Sequence, residues 1–402
     1  MGCLVQEIAI VGGGPAGAVC GERLAQSGFR VTLFDEHLAW EKPCGGGLTH
    51  KAIQRYPFLL DSPYPKKLVR MCELIAHSGK RARLELDHPI VIYSREVLNG
   101  LLLERATQAG CQVVRSRVSR IDTSGPQVKL KMNGDRHVAD FAVIAAGARN
   151  PLLPETTPPL APQDLELTLG YFVPTQAEIL KVKFLKWFEG YLWSFPRDAH
   201  LSVGICGKMS QSTSLQLKQH LHDFIREEKI PLDTPAGPAR FYSHVLPSPQ
   251  AQTLRKRRVA GRNWALVGDA AAWVDPVTGE GLYYAMRSGE LLAESLAQGR
   301  PEEYPGRVRR EYGEDLVFAT RIARRLFRGR FLAGAVTERM IQFIERSPTF
   351  RALIRDVFSG AQNYGTLKRR LWWQFGITLT EVLASLLRPH NGARRPSPEE
   401  SR

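Results

Sequence analysis

Residues 6–17 read Gln-Glu-Ile-Ala-Ile-Val-Gly-Gly-Gly-Pro-Ala-Gly, a short apolar run that stops on glycines. A run of that length ended by glycine is the pattern of a buried parallel strand. From Pro15 to about Ser27 small and apolar residues recur at helical spacing, and Gly28 suits the helix end. Arg30–Phe34 repeats the strand pattern and delivers Asp35 at its C-terminal end. Strand, helix and strand make a βαβ unit whose first turn carries Gly12, Gly14 and Gly17 at G-x-G-x-x-G spacing. Gly12 permits the tight turn, Gly14 lets the backbone approach a pyrophosphate, and Gly17 allows close helix–strand packing. Pro15 and Ala16 open a helix whose free N–H groups and positive dipole end suit that pyrophosphate. Asp35, or Glu36 beside it, is placed to accept from an adenosine ribose hydroxyl. The expectation is a dinucleotide site.

A second stretch says which dinucleotide. Ala265-Leu266-Val267-Gly268-Asp269 joins a strand to a carboxylate, and Pro276-Val277-Thr278-Gly279-Glu280-Gly281 leads into a helix over 279–298. In flavoproteins this arrangement lets the aspartate bind a ribityl hydroxyl. The helix N-terminus then faces the pyrimidine edge of the flavin, where negative charge collects on reduction. The expected cofactor is FAD. No second G-x-G-x-x-G follows a strand, so a separate nicotinamide domain is not expected. NADPH, NADH or a reduced electron-carrier protein must reach the flavin from a shared cleft.

The rest of the chain divides by pattern. Residues 96–109 read as an amphipathic helix, 112–117 as the next strand, and 127–132 and 138–145 as two more. Pro151 to Pro162 is a proline-rich crossing. Short aromatic and β-branched strands from about 165 to 255 surround one helix at 211–228, the look of an antiparallel second domain. After Pro305 the chain reads as helical to about Arg388, followed by a polar tail.

The 402 residues carry a net charge of +15, concentrated late, in Arg255–Arg258, in arginines from Arg307 to Arg330 and in Lys368–Arg370. No nucleic-acid-binding motif accompanies them, so the reading is a solvated basic face or one that meets anionic lipid. No window holds the ~20 apolar residues of a membrane span. Leu371–Leu387, with Trp372 and Trp373, reads as an interfacial helix, as a cover over an apolar cavity, or as a helix packed on its own core. Six scattered cysteines without a C-x-x-C pair argue against a disulfide framework or zinc site. His220 and His222 lie two apart on a helix and share no face. No metal is expected. The N-terminus runs into strand pattern without a signal-peptide profile, so a cytoplasmic protein is expected, with peripheral contact at the inner face of the membrane. A monomer and no nucleic-acid partner complete the expectation.

Pro43-Cys44-Gly45-Gly46-Gly47-Leu48 resembles a segment of the geranylgeranyl reductases. Gly190-Tyr191-Leu192-Trp193-Ser194-Phe195-Pro196 is similar to their Y-x-W-x-F-P motif, and Asp356–Leu371 resembles their C-terminal helical stretch. The likeness runs from residue 6 to about 371. It implies a p-hydroxybenzoate hydroxylase-like flavoprotein fold. An α/β FAD-binding Rossmann-like domain of GR2 type (1–75, 96–160 and 255–300) would interleave with an α+β antiparallel-sheet substrate domain (76–95 and 161–254). A C-terminal helical region (301–390) and a polar tail (391–402) would follow. The resemblance implies that Tyr191, Trp193, Phe195 and Pro196 bind an isoprenoid lipid or prenylated small molecule. It implies that Cys44, Gly45, Gly46 and Arg95 lie at the FAD, with Cys44 the candidate catalytic residue for assisting proton delivery. One departure stands out: Ala146 in Ala145-Ala146-Gly147 replaces an aspartate common in the superfamily.

The activity implied is reduction of isoprenoid carbon–carbon double bonds by hydride from reduced flavin. An oxygen-dependent hydroxylase or halogenase on the same scaffold is the alternative, and a non-catalytic membrane-surface flavoprotein a third reading.

Overall fold

A computed structural model describes residues 5–149, 151–152 and 157–387. Two sheets organise it. The first has five strands in the order Trp264–Leu266, Phe141–Ile144, Glu7–Val11, Arg30–Asp35 and Gln112–Arg115, every neighbouring pair parallel. Parallel strands are covered on both faces, which is why Ile8–Ile10 and Phe141–Ile144 are apolar and buried without alternation. Helix Pro15–Gln26 packs against Arg95–Gln108 and Leu282–Ala297 on this sheet. Ser94 caps the second of these helices, its hydroxyl accepting from Val97 N.

The second sheet has eight strands, in the order Arg240–Pro247, Leu165–Val173, Leu201–Lys208, Gly190–Pro196, Leu180–Phe184, Lys67–Ile75, Arg81–Ile92 and Gly47–Leu48. Its pairs are antiparallel except Leu180–Phe184 with Lys67–Ile75. Alternation gives it two characters. Leu169, Val203 and Ile205 pack under helix Ser214–Glu227 on one face. Phe172, Trp193, Cys206 and Tyr242 cluster on the other, with Tyr191 and Phe195. Among the C-terminal helices, Glu314–Arg328, Val336–Arg346, Pro348–Phe358 and the start of Tyr364–Leu387 pack over Leu84, Val182 and Phe184. A flavoprotein-type FAD-binding domain, a large antiparallel-rich sheet and a helical C-terminal region are the expected architecture.

Three details differ from the expected boundaries. Lys67–Ile75, expected within the first FAD-domain segment, pairs in the large sheet. Residues 138–145 are not one strand. Asp140 breaks them: its carboxylate accepts from Gln6 N and Glu7 N at 2.9 and 3.0 Å. Residues before it end a three-stranded meander, and residues after it enter the parallel sheet. The last helix starts at Tyr364, seven residues before the apolar run suggests. Asp315 fixes that start, accepting from Tyr364 N and Gly365 N at 3.1 and 2.6 Å. Part of the proline-rich crossing, Asn150 and the tail 391–402 lie outside the described residues.

The last helix is half docked. Tyr364 and Leu367 are buried, whereas Trp372 and Trp373 are 82% and 78% exposed, with Phe375, Ile377 and Leu383 bare beside them. Among the described residues no helix is long and apolar enough to cross a membrane.

Candidate functional site

The glycine turn is held from two sides. A Cβ on Gly17 would stand 1.9 Å from the Gly12 carbonyl oxygen, so only glycine lets the helix start so close to the strand. Gly12 has φ +110°, and a Cβ there would meet the Ala145 carbonyl at 2.4 Å. Asp35 braces the turn as well as facing the cavity. Its Oδ2 accepts from Gly13 N at 2.7 Å and its Oδ1 from His37 N and Leu38 N at 2.7 and 2.8 Å. Glu36 lies at the same mouth, 3.8 Å from Arg117.

The Cys44–Gly47 loop is anchored by a residue of the other domain. Arg197 directly follows the aromatic strand Gly190–Pro196 and is 1% exposed. It donates to Glu41 Oε1 and to the Cys44 carbonyl, which also accepts from Ser202 Oγ at 3.0 Å. Glu41 accepts from Ser94 Oγ at 2.6 Å and Arg95 N at 3.0 Å. Burial opposes ionisation of Glu41, but the Arg197 guanidinium and these donors outweigh it and hold the carboxyl below its usual range. The Cys44 thiol turns back on its own loop and accepts from Gly46 N at 3.3 Å.

Each aromatic of the strand rests on a glycine. Cβ atoms built on Gly279, Gly204 and Gly45 would come within 2.3 Å of Tyr191, 2.4 Å of Trp193 and 2.5 Å of Phe195. Tyr191 also donates to the Thr278 carbonyl at 2.8 Å. The strand therefore touches both expected flavin loops, one through Tyr191 and the other through Phe195. Pro196 differs from expectation. It is buried at the strand end and is not on the cavity wall, since the alternation that turns Tyr191, Trp193 and Phe195 inward turns it away.

The loop after Gly268 is equally committed. Lys42 Nζ lies 3.3 Å from Asp269 Oδ2. Asp275 accepts from Val277 N and from the Tyr364 hydroxyl, both at 2.8 Å, which ties the last helix to this loop. Thr49 donates to Glu280 at 2.6 Å. Burial raises the Asp275 and Glu280 carboxyls above their ordinary range. Burial, with Lys42 near, pushes His244 down to about 4, and burial with Arg197 does the same to His200. Both imidazoles are neutral at pH 7.

These pieces enclose a cavity of about 610 Å³, within the range of small-molecule and cofactor sites. Of the residues expected at the cofactor, Gly12, Gly14, Pro15, Ala16, Asp35, Glu36, Cys44, Gly45, Gly46, Arg95, Asp269, Pro276, Gly279 and Gly281 line it. Gly17 and Gly268 do not. Gly17 packs on Gly12, and Gly268 (φ +59°) packs on Ala16. Lys42, Glu41, Arg197 and His244 escaped the sequence reading; only Arg197 had a signal, its place directly after Phe195-Pro196.

A family model described as pyridine nucleotide-disulphide oxidoreductase matches residues 6–186. Over 321 residues the chain is 28% identical to geranylgeranyl diphosphate reductase of Nicotiana tabacum; the match covers 73% of this chain and 66% of that protein's length. The chain is an FAD-dependent oxidoreductase similar to the geranylgeranyl reductases. This geranylgeranyl reductase-like flavoprotein is also 26% identical over 366 residues to menaquinone reductase of Mycobacterium tuberculosis, covering 83% of this chain and 87% of that one. Its fold is similar to a geranylgeranyl bacteriochlorophyll reductase-like protein from Thermoplasma acidophilum, with TM-score 0.73 and 18% identity over 94% of this chain and 99% of that one. A flavin-dependent brominase aligns at TM-score 0.67 and 16% identity, covering 92% and 100%. At those identities the two structures speak for fold alone.

The residues present fit FAD. Gly14 has open space where a Cβ would stand, and the buried Arg95 lines the cavity with an Nε that no protein group satisfies. Gly14 and the helix it opens would hold the pyrophosphate, Asp35 the ribose, and Asp269 the ribityl chain. Asp269→Ala is expected to lose one charge-assisted hydrogen bond worth about 1.5–3 kcal/mol, hence roughly tenfold or more in FAD affinity, read as flavin retained after gel filtration. Arg197→Met strands the Glu41 carboxylate, a loss of about 3–5 kcal/mol that lowers the thermal midpoint. The sign of the pH effect follows from Glu41: its contribution is present above the ordinary carboxyl range and lost as pH falls through the depressed value. Without Arg197 that loss begins at higher pH, which a series of melting curves reads.

Proposed function

We propose that this flavoprotein reduces carbon–carbon double bonds of an isoprenoid lipid or prenylated small molecule. The carrying observation is the continuity of the cavity. It runs from the glycine turn and Asp269 past Tyr191, Trp193 and Phe195 to Phe327, Met340 and Leu367 under the C-terminal helices. One end suits a dinucleotide and the other a long apolar chain. The names of the tobacco and mycobacterial relatives agree with a prenyl substrate. Bound FAD, reduced by NADPH, NADH or a carrier protein, supplies the hydride.

An isolated alkene has no carbonyl to polarise, so the chain's own residues contribute alignment and dryness. Tyr191 fixes the loop at Thr278, Trp193 lies over Gly204, and the C-terminal helices wall the apolar end of the cavity. A proton must also arrive, and Cys44 on its bordering loop is one candidate donor. The alternative on this scaffold is oxygen-dependent hydroxylation or halogenation, in keeping with the brominase fold. Anaerobic mixing separates the two. Photoreduced protein is expected to be reoxidised by a long prenyl alkene without oxygen, whereas an oxygenase would stay reduced. Trp193→Ala is expected to keep its FAD and lose about tenfold or more of that rate, the equivalent of about 1.4 kcal/mol.

The substrate also proposes a location. Lys368 and Arg369 are exposed one turn before the bare Trp372 and Trp373, a pairing of charge and aromatic surface suited to an anionic bilayer. Each such cation adds about 1 kcal/mol near the surface, over a screening length of about 8 Å at physiological salt. Phosphatidylglycerol vesicles are expected to float the protein at low salt and retain a fraction at high salt. Replacing Trp372 and Trp373 by alanine is expected to abolish the salt-resistant fraction.

A further inference from the structure

We propose that Glu166, on the wall of the cavity, gives the proton that alkene reduction requires. The inference rests on the reductase reading above and names a residue that neither the motifs nor the aromatic strand pointed to.

The argument starts from the sheet. On strand Leu165–Val173, Glu166 shares the cavity face with Thr168 and Phe172, and it lies opposite Lys208 of the neighbouring strand. The other polar groups of this patch are spent. Thr168 donates to the Ile205 carbonyl at 3.0 Å, Tyr191 to Thr278, and the Cys206 thiol to the Tyr191 carbonyl at 3.8 Å. Lys208, the nearest cation, turns its ammonium to the carbonyls of Gln163 and Ser248. Glu166 takes part in none of the ion pairs among the described residues.

Two other carboxyls of the cavity are tied to loop and helix partners. Asp275 is held by Val277 N and Tyr364, and Glu280 by Thr49. Glu166 is hydrogen-bonded by the Ser248 and Cys206 side chains, with Glu189 a further negative charge. His244, on the flanking strand, is neutral at pH 7. Burial, reinforced by Glu189 and opposed by Lys208, raises the Glu166 carboxyl.

The chemistry balances. One alkene carbon gains hydride from reduced flavin, the π pair takes the Glu166 proton at the other carbon, and the flavin is left oxidised. Glu166 is left as a carboxylate and regains its proton from water. General-acid help of this kind is worth about 10²–10⁴-fold.

Three readouts test it on holoenzyme. Infrared difference spectra of wild type minus Glu166→Gln, taken oxidised at neutral pH, are expected to show one carboxylic-acid carbonyl band; a carboxylate band alone overturns the proposal. In anaerobic mixing of photoreduced protein with a prenyl alkene, Glu166→Gln is expected to slow reoxidation by about 100-fold or more with FAD content unchanged. The wild-type rate is expected to fall as pH rises through the Glu166 value, and the glutamine variant to lose that limb. Glu166→Asp is expected to restore the limb at reduced rate, which covers the case in which the glutamine variant is poorly folded. If Glu166→Gln matches wild type, or Cys44→Ala alone abolishes the limb, the Glu166 proposal falls and the reductase reading stands. If wild type itself is not reoxidised, both fall.

Discussion

Arg197 carries a full charge with almost no solvent contact, and the loop beneath it keeps its shape because Glu41 meets that charge. Removing a guanidinium from water costs several kcal/mol unless its hydrogen bonds are replaced. Here a carboxylate and a backbone carbonyl of the other domain meet Nη1 and Nη2, while Nε has no protein partner. The pairing is thus a distance constraint between two sheets. It sets how close the aromatic strand comes to the Cys44–Gly47 loop, and so sets the width of the cavity between them.

The glycines under Tyr191, Trp193 and Phe195 express the same constraint in steric terms. Where these side chains approach a glycine so closely, no Cβ fits between them. The Cys-Gly-Gly-Gly run and the glycine ahead of Glu280 are therefore as much a mould for the strand as a cradle for a cofactor. A neutral His200 and His244 fit this setting, because further positive charge beside Arg197 and Lys42 would oppose both ion pairs.

Legibility in the sequence followed locality. The βαβ opening, the Gly-Asp turn and the alternating aromatics each lie within one short stretch, and their periodicities reported them correctly. Ion pairs across 156 or 227 positions, as between Glu41 and Arg197 or Lys42 and Asp269, leave no periodic trace. Glu166 was silent for a related reason: its strand alternates like any other, and only the register with Lys208 and Cys206 shows which face it takes. The pairing of Lys67–Ile75 has the same origin. Lys67–Ile75 reads equally well as a strand of either sheet, and its pairing with Leu180–Phe184 decides the matter a hundred positions later. Asp140 hid inside an apolar run because its partners are backbone N–H groups 134 and 133 positions earlier in the chain, at the start of the adjacent strand.

The interleaving of the two sheets has a consequence for biosynthesis. The parallel sheet is laid down from the N-terminus, yet its outer strand Trp264–Leu266 and Asp269 are translated only after the whole Leu165–Pro247 region. Until then Phe141–Ile144 is an apolar strand with an open edge, the kind of surface that invites wrong pairing. Arg197, by contrast, is made early enough to find Glu41 while that edge is still bare. The nascent chain can therefore set the spacing of its two domains before it can hold a flavin, and cofactor capture waits for the last third of synthesis.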